Sequence, residues 1–200
     1  MVTPGPTRRG DVVLVRHGET AWSLSGQHTG ISDIPLTEHG CDEARRLRSL
    51  LSGPDYALVL SSPLERARTT CELAGLGHQM QIDPDLLEWN YGAYEGLTPA
   101  EIERTAPGWT IFTDGCPGGE SPEQVGARVD RVIRRIRAET GPVALFAHGH
   151  VFRVFAARWI GLPPGEGRHF MLDTSTMSVL SYYHGSPALK RWNASITPRR

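Results

Sequence analysis

Three short, nearly unbroken apolar runs constrain the fold of this chain more than any other feature. They are Asp11-Val-Val-Leu-Val15, Tyr56-Ala-Leu-Val-Leu60 and Val143-Ala-Leu-Phe-Ala147. A strand with one wet face alternates apolar and polar residues, whereas a continuous apolar run must be covered on both faces. Helical patterns separate the runs. Thr37 opens one that puts Ala44, Leu47, Leu50 and Leu51 on a single face, and Gly53-Pro54 ends it. Ser62-Pro-Leu-Glu65, Thr98-Pro-Ala-Glu101 and Ser121-Pro-Glu-Gln124 each match a capping box with proline at the first helical position. The last of these opens a long helix to about Ala138, with Val125, Val129, Val132, Ile133 and Ile136 as its stripe. Val151 to Ile160 reads as another helix, closed by Gly161. Met177–Tyr183 and Ala188–Trp192, joined by a turn around Gly185-Ser-Pro187, read as an antiparallel hairpin. Strands alternating with helices imply an α/β fold, a mainly parallel sheet with helices on both faces and the hairpin as an antiparallel edge. Residues 11–195 are expected to form one domain, with 1–10 and 196–200 as flexible tails.

Open α/β sheets bind ligands beyond the carboxyl ends of their strands. The first run is followed by Arg16-His17-Gly18-Glu19-Thr20, the second by Ser61-Ser-Pro-Leu-Glu-Arg66, and the third by His148-Gly-His150. Two arginines and at least two histidines are thus expected on one rim. Arginine offers planar, bidentate donors, so such a rim suits a phosphate dianion. Gly18 and Gly149 permit close backbone approach there. His148-Gly-His150 could also begin a metal site, but no carboxylate stands at ligand spacing, and neither a metal nor a cofactor is expected. His39, His78, His169 and His184 lack a comparable setting and read as surface or core residues.

Composition narrows the function classes. Lysine plus arginine number 21 and aspartate plus glutamate 22, a formal charge of −1 that argues against a nucleic-acid binder. The basic residues are mostly arginine, for which high genomic GC content is the default explanation. Three widely spaced cysteines, Cys41, Cys71 and Cys116, suggest neither a disulfide framework nor a zinc ribbon. With no apolar leader and no stretch near 18 apolar residues, a cytoplasmic protein without a membrane span is expected.

The ordered set of motifs resembles the histidine phosphatase superfamily, in its phosphoglycerate-mutase-like branch. It comprises Arg16–Thr20, Gly26-Gln-His-Thr-Gly30 with Ile34-Pro-Leu-Thr37, Ser61–Thr70, Leu87–Gly96, Gly119-Glu-Ser121 and Phe146–His150, spread over about residues 11–183. The resemblance implies that His17 is the nucleophile and becomes a phosphohistidine. Arg16, Arg66 and His148 would hold the phosphoryl oxygens, His148 in its protonated form, and Glu88 would donate the proton. Thr29 and Gly30 match pocket positions, and Ser23 falls in the stretch where relatives often carry an asparagine. Tyr91 and Gly149 are added as substrate-binding candidates. Gly26–Gly30, Trp109–Cys116 and Ala147–His150 are similar to broad-specificity acid phosphatases and sedoheptulose bisphosphatases. There His28 and His150 would be extra groups able to become cationic, placed to contact a second phosphate or polyol hydroxyls. The implied activity is metal-independent hydrolysis of small phosphorylated metabolites. Only about thirty residues separate Glu88 from Glu120, whereas the true mutases carry a middle insertion that covers the pocket, so hydrolysis is favoured over phosphoglycerate mutase activity. A non-catalytic phosphate-binding module is disfavoured because His17, Arg16, Arg66, Glu88 and His148 are all present. A homodimer is considered, with Tyr56–Leu60 or the hairpin as the candidate edge.

Overall fold

The three apolar runs lie side by side in the middle of one sheet. The computed structural model describes residues 10–195, so apart from Gly10 the two expected tails lie outside the described residues. In chain order the strands are β1 (Val12–Arg16), β2 (Leu58–Ser61), β3 (Met80–Ile82), β4 (Val143–Ala147), β5 (Thr176–Tyr183) and β6 (Ser186–Ser195). They are arranged β3-β2-β4-β1-β5-β6. β1, β2, β3 and β4 are mutually parallel, while β5 runs antiparallel to β1 and β6 antiparallel to β5. The helices are α1 (Ala21–Ser25), α2 (Glu38–Leu51), α3 (Glu65–Leu73), α4 (Pro99–Thr105), α5 (Ile111–Asp114), α6 (Pro122–Ile136) and α7 (Gly149–Trp159). None of them is long and apolar enough to cross a membrane.

Successive strand residues point to opposite faces, and the two cores divide accordingly. Val12, Leu14, Leu58, Leu60, Val143 and Leu145 pack with residues of α6 and α7. Val13, Val15, Val59, Ala144 and Phe146 pack with Leu47, Leu51 and Cys71 of α2 and α3. Each fully buried aliphatic side chain contributes roughly 1.5–3 kcal/mol, which accounts for the unbroken apolar pattern. The chain leaves β1 toward α2 on one face and leaves β4 toward α7 on the other. These neighbouring strands therefore part at their carboxyl ends and open a crevice between them.

Three expectations need correction. Tyr56–Leu60 is not an edge, because the three-residue strand β3 pairs outside β2. β3 is only Met-Gln-Ile and largely exposed, too short to give a pattern. Ser62 does not cap α3. Its hydroxyl instead meets the His148 ring, and Asp33 Oδ1 accepts the Glu65 N–H at 2.7 Å from a distant loop. The capping boxes at Thr98 and Ser121 do form, and Thr37 caps α2. Leu50 faces solvent rather than the core. The hairpin is the antiparallel edge, turning at His184 and Gly185, both with positive φ.

The first turn of α2 lies backbone to backbone against the loop after β1. A Cβ on Gly40 would stand 2.2 Å from the Glu19 carbonyl oxygen. Replacing a helical glycine by alanine normally gains about 1 kcal/mol. Here the contact is with backbone, and overpacking costs roughly 1–3 kcal/mol. Gly40→Ala should therefore lower the urea midpoint, while Gly53→Ala, with open space around it, should not. A Gly40→Ala midpoint at or above the parent's would show that the loop yields freely.

Candidate active site

His17 follows directly on β1, and its backbone continues the sheet. Its N–H donates to the Ala147 carbonyl at 3.0 Å, and its own carbonyl accepts from Ser175 N at 3.1 Å. The side chain is buried, with Nδ1 2.7 Å from the Gly18 carbonyl oxygen. A carbonyl only accepts, so Nδ1 carries the proton. Burial holds the imidazole well below its usual pKa of 6.5, and the charges of Arg66 and Arg16 push the same way. The ring is therefore neutral, with the Nε2 lone pair unprotonated. His17 lines a cavity of about 270 Å³ at the crevice.

Arg66 and His148 stand behind His17 rather than on the cavity wall. Arg66 on α3 is fully buried. It donates to the carbonyls of Ser32 (2.8 Å), Thr29 (3.1 Å) and Gly30 (2.8 Å), and through Nε to His148 Nδ1 (3.1 Å). Because Nδ1 of His148 accepts, its proton is on Nε2, which donates to Ser62 Oγ at 2.7 Å. Burial, then Arg66 and His17, hold this imidazole well below the ordinary value. This corrects the expected protonated His148. The ring is a neutral donor whose tautomer Arg66 sets.

Glu88 sits in the loop facing the α7 N-terminus, buried and lining the cavity. Its Oε1 accepts from Trp89 N (2.9 Å) and Val151 N (2.8 Å), and its Oε2 from His150 N (2.9 Å). Oε2, with a single donor, is the freer oxygen for proton exchange. Arg16 at the end of β1 also lines the cavity. It is tied to the Leu172 carbonyl, and its Nε is buried without a protein partner.

The other expected residues divide between wall and support. Ser23, His28, Thr29, Tyr91, Gly149 and His150 line the cavity. Gly30 does not. It packs so tightly that a Cβ would lie 2.5 Å from the Trp89 carbonyl oxygen, and its N–H is held by Glu95 Oε1 at 2.9 Å. The Ser23 hydroxyl donates to the Thr20 carbonyl at 2.9 Å and accepts from Thr20 N at 2.9 Å in the α1 capping box, so it is engaged locally. The His28 and His150 rings stack with centroids 6.0 Å apart, and Trp109 backs His28. His28 Nδ1 lies 3.0 Å from the Leu97 carbonyl, and Tyr91 Oη lies 2.6 Å from His150 Nδ1. Burial lowers both histidine pKa values, that of His150 strongly with help from Arg153. Of the two expected roles this favours neutral polar contact over cationic contact.

Sequence reasoning missed Arg153, which lines the cavity one turn along α7 from His150. Its guanidinium lies 4.4 Å from the Phe112 ring centroid, and it donates to the carbonyls of Gly167 and Arg168 at 3.2 Å each. The available signal was its spacing of three from His150 on the helix that the third strand enters.

Comparison with known proteins agrees with this arrangement. The family model described as histidine phosphatase superfamily, branch 1, matches residues 12–195. The chain belongs to that superfamily. It is 38% identical to an acid phosphatase of Mycobacterium tuberculosis, over 87% of each chain. It is 37% identical to the sedoheptulose 1,7-bisphosphatase of Saccharomyces cerevisiae, over 93% of each. The solved structure of the Mycobacterium tuberculosis open reading frame Rv3214 superposes with a TM-score of 0.91 and 36% identity, covering 95% of this chain and all of that one.

The buried neutral histidines couple stability to pH. Below 6.5 the unfolded chain binds protons that folded His17, His148 and His150 refuse. Stability is intact above that value and falls with pH until each folded-state pKa is reached. The slope is up to about 1.4 kcal/mol per pH unit for each histidine. The thermal midpoint should therefore drop on going from about pH 7 to 5, and His150→Gln should flatten the drop. An unchanged slope in that variant would mean that His150 titrates freely in the fold.

Proposed function

We propose that this phosphatase hydrolyses phosphomonoesters through a phosphohistidine on His17, without a metal or other cofactor. Its substrates are small phosphorylated metabolites, sugar phosphates among them. The reading treats residues 11–195 as one histidine phosphatase domain. The observation that carries it is the state of His17, whose Nδ1–H is anchored on the Gly18 carbonyl and whose neutral Nε2 belongs to a ring on the cavity wall. An imidazole in that state is nucleophilic without a separate base.

In the first step the Nε2 lone pair forms the bond to phosphorus while the bond to the leaving oxygen breaks. Glu88 gives that oxygen a proton. In the second, water attacks phosphorus, Glu88 takes the proton, and the N–P bond breaks to restore His17. The Gly18 carbonyl steadies the positive ring of the phosphohistidine. Arg16 on the cavity wall neutralises the phosphoryl oxygens and Arg66, behind His17, adds its positive field, while neutral His148 braces the Arg66 guanidinium. The depressed pKa of His17 places the acid limb of kcat/KM well below 6.5.

Cavity size and charge refine the substrate. About 270 Å³ accommodates one small metabolite. Arg153 supplies a cation on the wall beyond Glu88 and His150, suited to a second anionic group, and neutral His28 and His150 suit hydroxyls between the two ends. The relative named as a bisphosphatase fits this pattern.

Phosphate release from an aryl phosphate, 3-phosphoglycerate, and sugar mono- and bisphosphates, measured in EDTA beside His17→Ala, tests the reading. Release should survive EDTA and vanish in the variant. Isomerisation of 3-phosphoglycerate without release would make the enzyme a mutase. Arg153→Met should lower kcat/KM for a sugar bisphosphate about tenfold more than for the aryl phosphate, as loss of a charged hydrogen bond implies. Equal losses would remove Arg153 from substrate recognition.

A further inference from the structure

Helix α6 carries arginines at positions 128, 131 and 135, and all three reach the loop that leads from β3 to Glu88. Arg135 bonds Asp83 Oδ2 at 3.0 Å and Gln81 Oε1 at 2.7 Å. Arg131 bonds Asp85 Oδ2 at 2.8 Å. These two side chains are about half exposed, and such pairs are worth roughly 0–1 kcal/mol. Arg128 is different. Its side chain is 8% exposed, and it donates to the backbone carbonyls of Asp85 (2.9 Å), Leu87 and Glu88 (3.1 Å). Its remaining donors make a fork on Glu120, at 2.8 Å to Oε1 and 3.1 Å to Oε2. Glu120 in turn holds the loop's far side, where Oε2 accepts from Asn90 N and the backbone carbonyl from Trp89 Nε1, both at 2.9 Å.

The two residues thus grip the backbone on both sides of Glu88 and leave its carboxylate untouched. Among the described residues, the hydrogen bonds that register that carboxylate come from backbone N–H groups, its own neighbour's and two at the α7 N-terminus. A carboxylate that exchanges protons with a leaving oxygen and then with water must keep its position to a few tenths of an ångström. Any charged side chain bonded to it directly would compete for those protons. Holding the backbone avoids that competition.

We infer that Arg128, paired with Glu120, is a positioning residue for proton transfer at Glu88. The inference rests on the proton-donor reading of Glu88 proposed above. It makes a prediction that a merely structural role would not. An aryl phosphate with a nitrophenolate leaving group needs little protonation, whereas an alkyl or sugar phosphate needs a proton for its alkoxide. Misplacing Glu88 therefore harms alkyl substrates selectively, while general loss of folding harms both alike.

Truncating Arg128 to alanine would leave three backbone carbonyls and half-buried Glu120 without their donor, so the test uses Arg128→Lys and Glu120→Gln, with Glu88→Gln as reference. The readout is the ratio of kcat/KM for glycerol phosphate to that for 4-nitrophenyl phosphate. Glu88→Gln should lower the ratio by about a hundredfold, the scale of general acid catalysis, and Arg128→Lys and Glu120→Gln by about tenfold. If Glu88→Gln lowers the ratio while the other two variants leave it at the parent value, the positioning role is overturned and the donor reading stands. If Glu88→Gln itself leaves the ratio unchanged, the donor reading fails and the inference falls with it.

Discussion

A buried guanidinium with no carboxylate hydrogen-bonded to it organises this protein. Arg66 is fully enclosed, and its donors end on three carbonyls and one imidazole. Removing an arginine from water costs several kcal/mol unless its donors are met. Here they are met by neutral groups, so its hydrogen bonds are satisfied and its charge is not neutralised in contact. One side chain thereby fixes the 29–32 loop, selects the tautomer of His148, and imposes a positive potential on His17. Arg16 adds to that potential from the opposite side. The site is built to be completed by negative charge, which is what a phosphoryl group brings.

The same field explains the character of the histidines. Four imidazoles stand at or near the cavity, and burial lowers the pKa of every one, with arginines pushing the same way at His17, His148 and His150. Arginine cannot lose its proton under these conditions, so the charge stays where it is held and the imidazoles adapt. Permanent cations and switchable bases therefore have separate duties. The arginines supply charge, His17 presents a neutral ring on the cavity wall, and His148 donates its N–H to Ser62.

Much of this was legible in the sequence because it is local. Unbroken apolar runs mark doubly covered strands, and the residues just beyond them fall at the crevice without further information. His17, Arg16, Arg66 and His148 were found that way, and the motif order added Glu88. What was not legible depends on groups far apart in the chain. β3 is too short to show a pattern. Ser62 looks like a helix cap until His148, 86 residues away, takes its hydroxyl. Protonation of His148 cannot be read without knowing that Arg66 Nε points at Nδ1. The richness in arginine, for which base composition is sufficient cause, conceals the contrast between Arg128, enclosed by backbone carbonyls, and its exposed neighbours on α6.

The backbone of His17 is hydrogen-bonded on both sides, to β4 through Ala147 and to the segment entering β5 through Ser175. Ser175 itself takes a left-handed conformation, φ 53°, to make that contact. A residue whose backbone is anchored in this way has no local opening of its own. Its amide should exchange with solvent only when the central sheet unfolds, more slowly than those of the surrounding loops. Adjustment to ligand then falls to the rest of the cavity wall, which includes residues 23 and 26–29 and Leu172 from loops or a short helix. The cavity resembles a vice with one stationary jaw, and His17 belongs to the part that does not move.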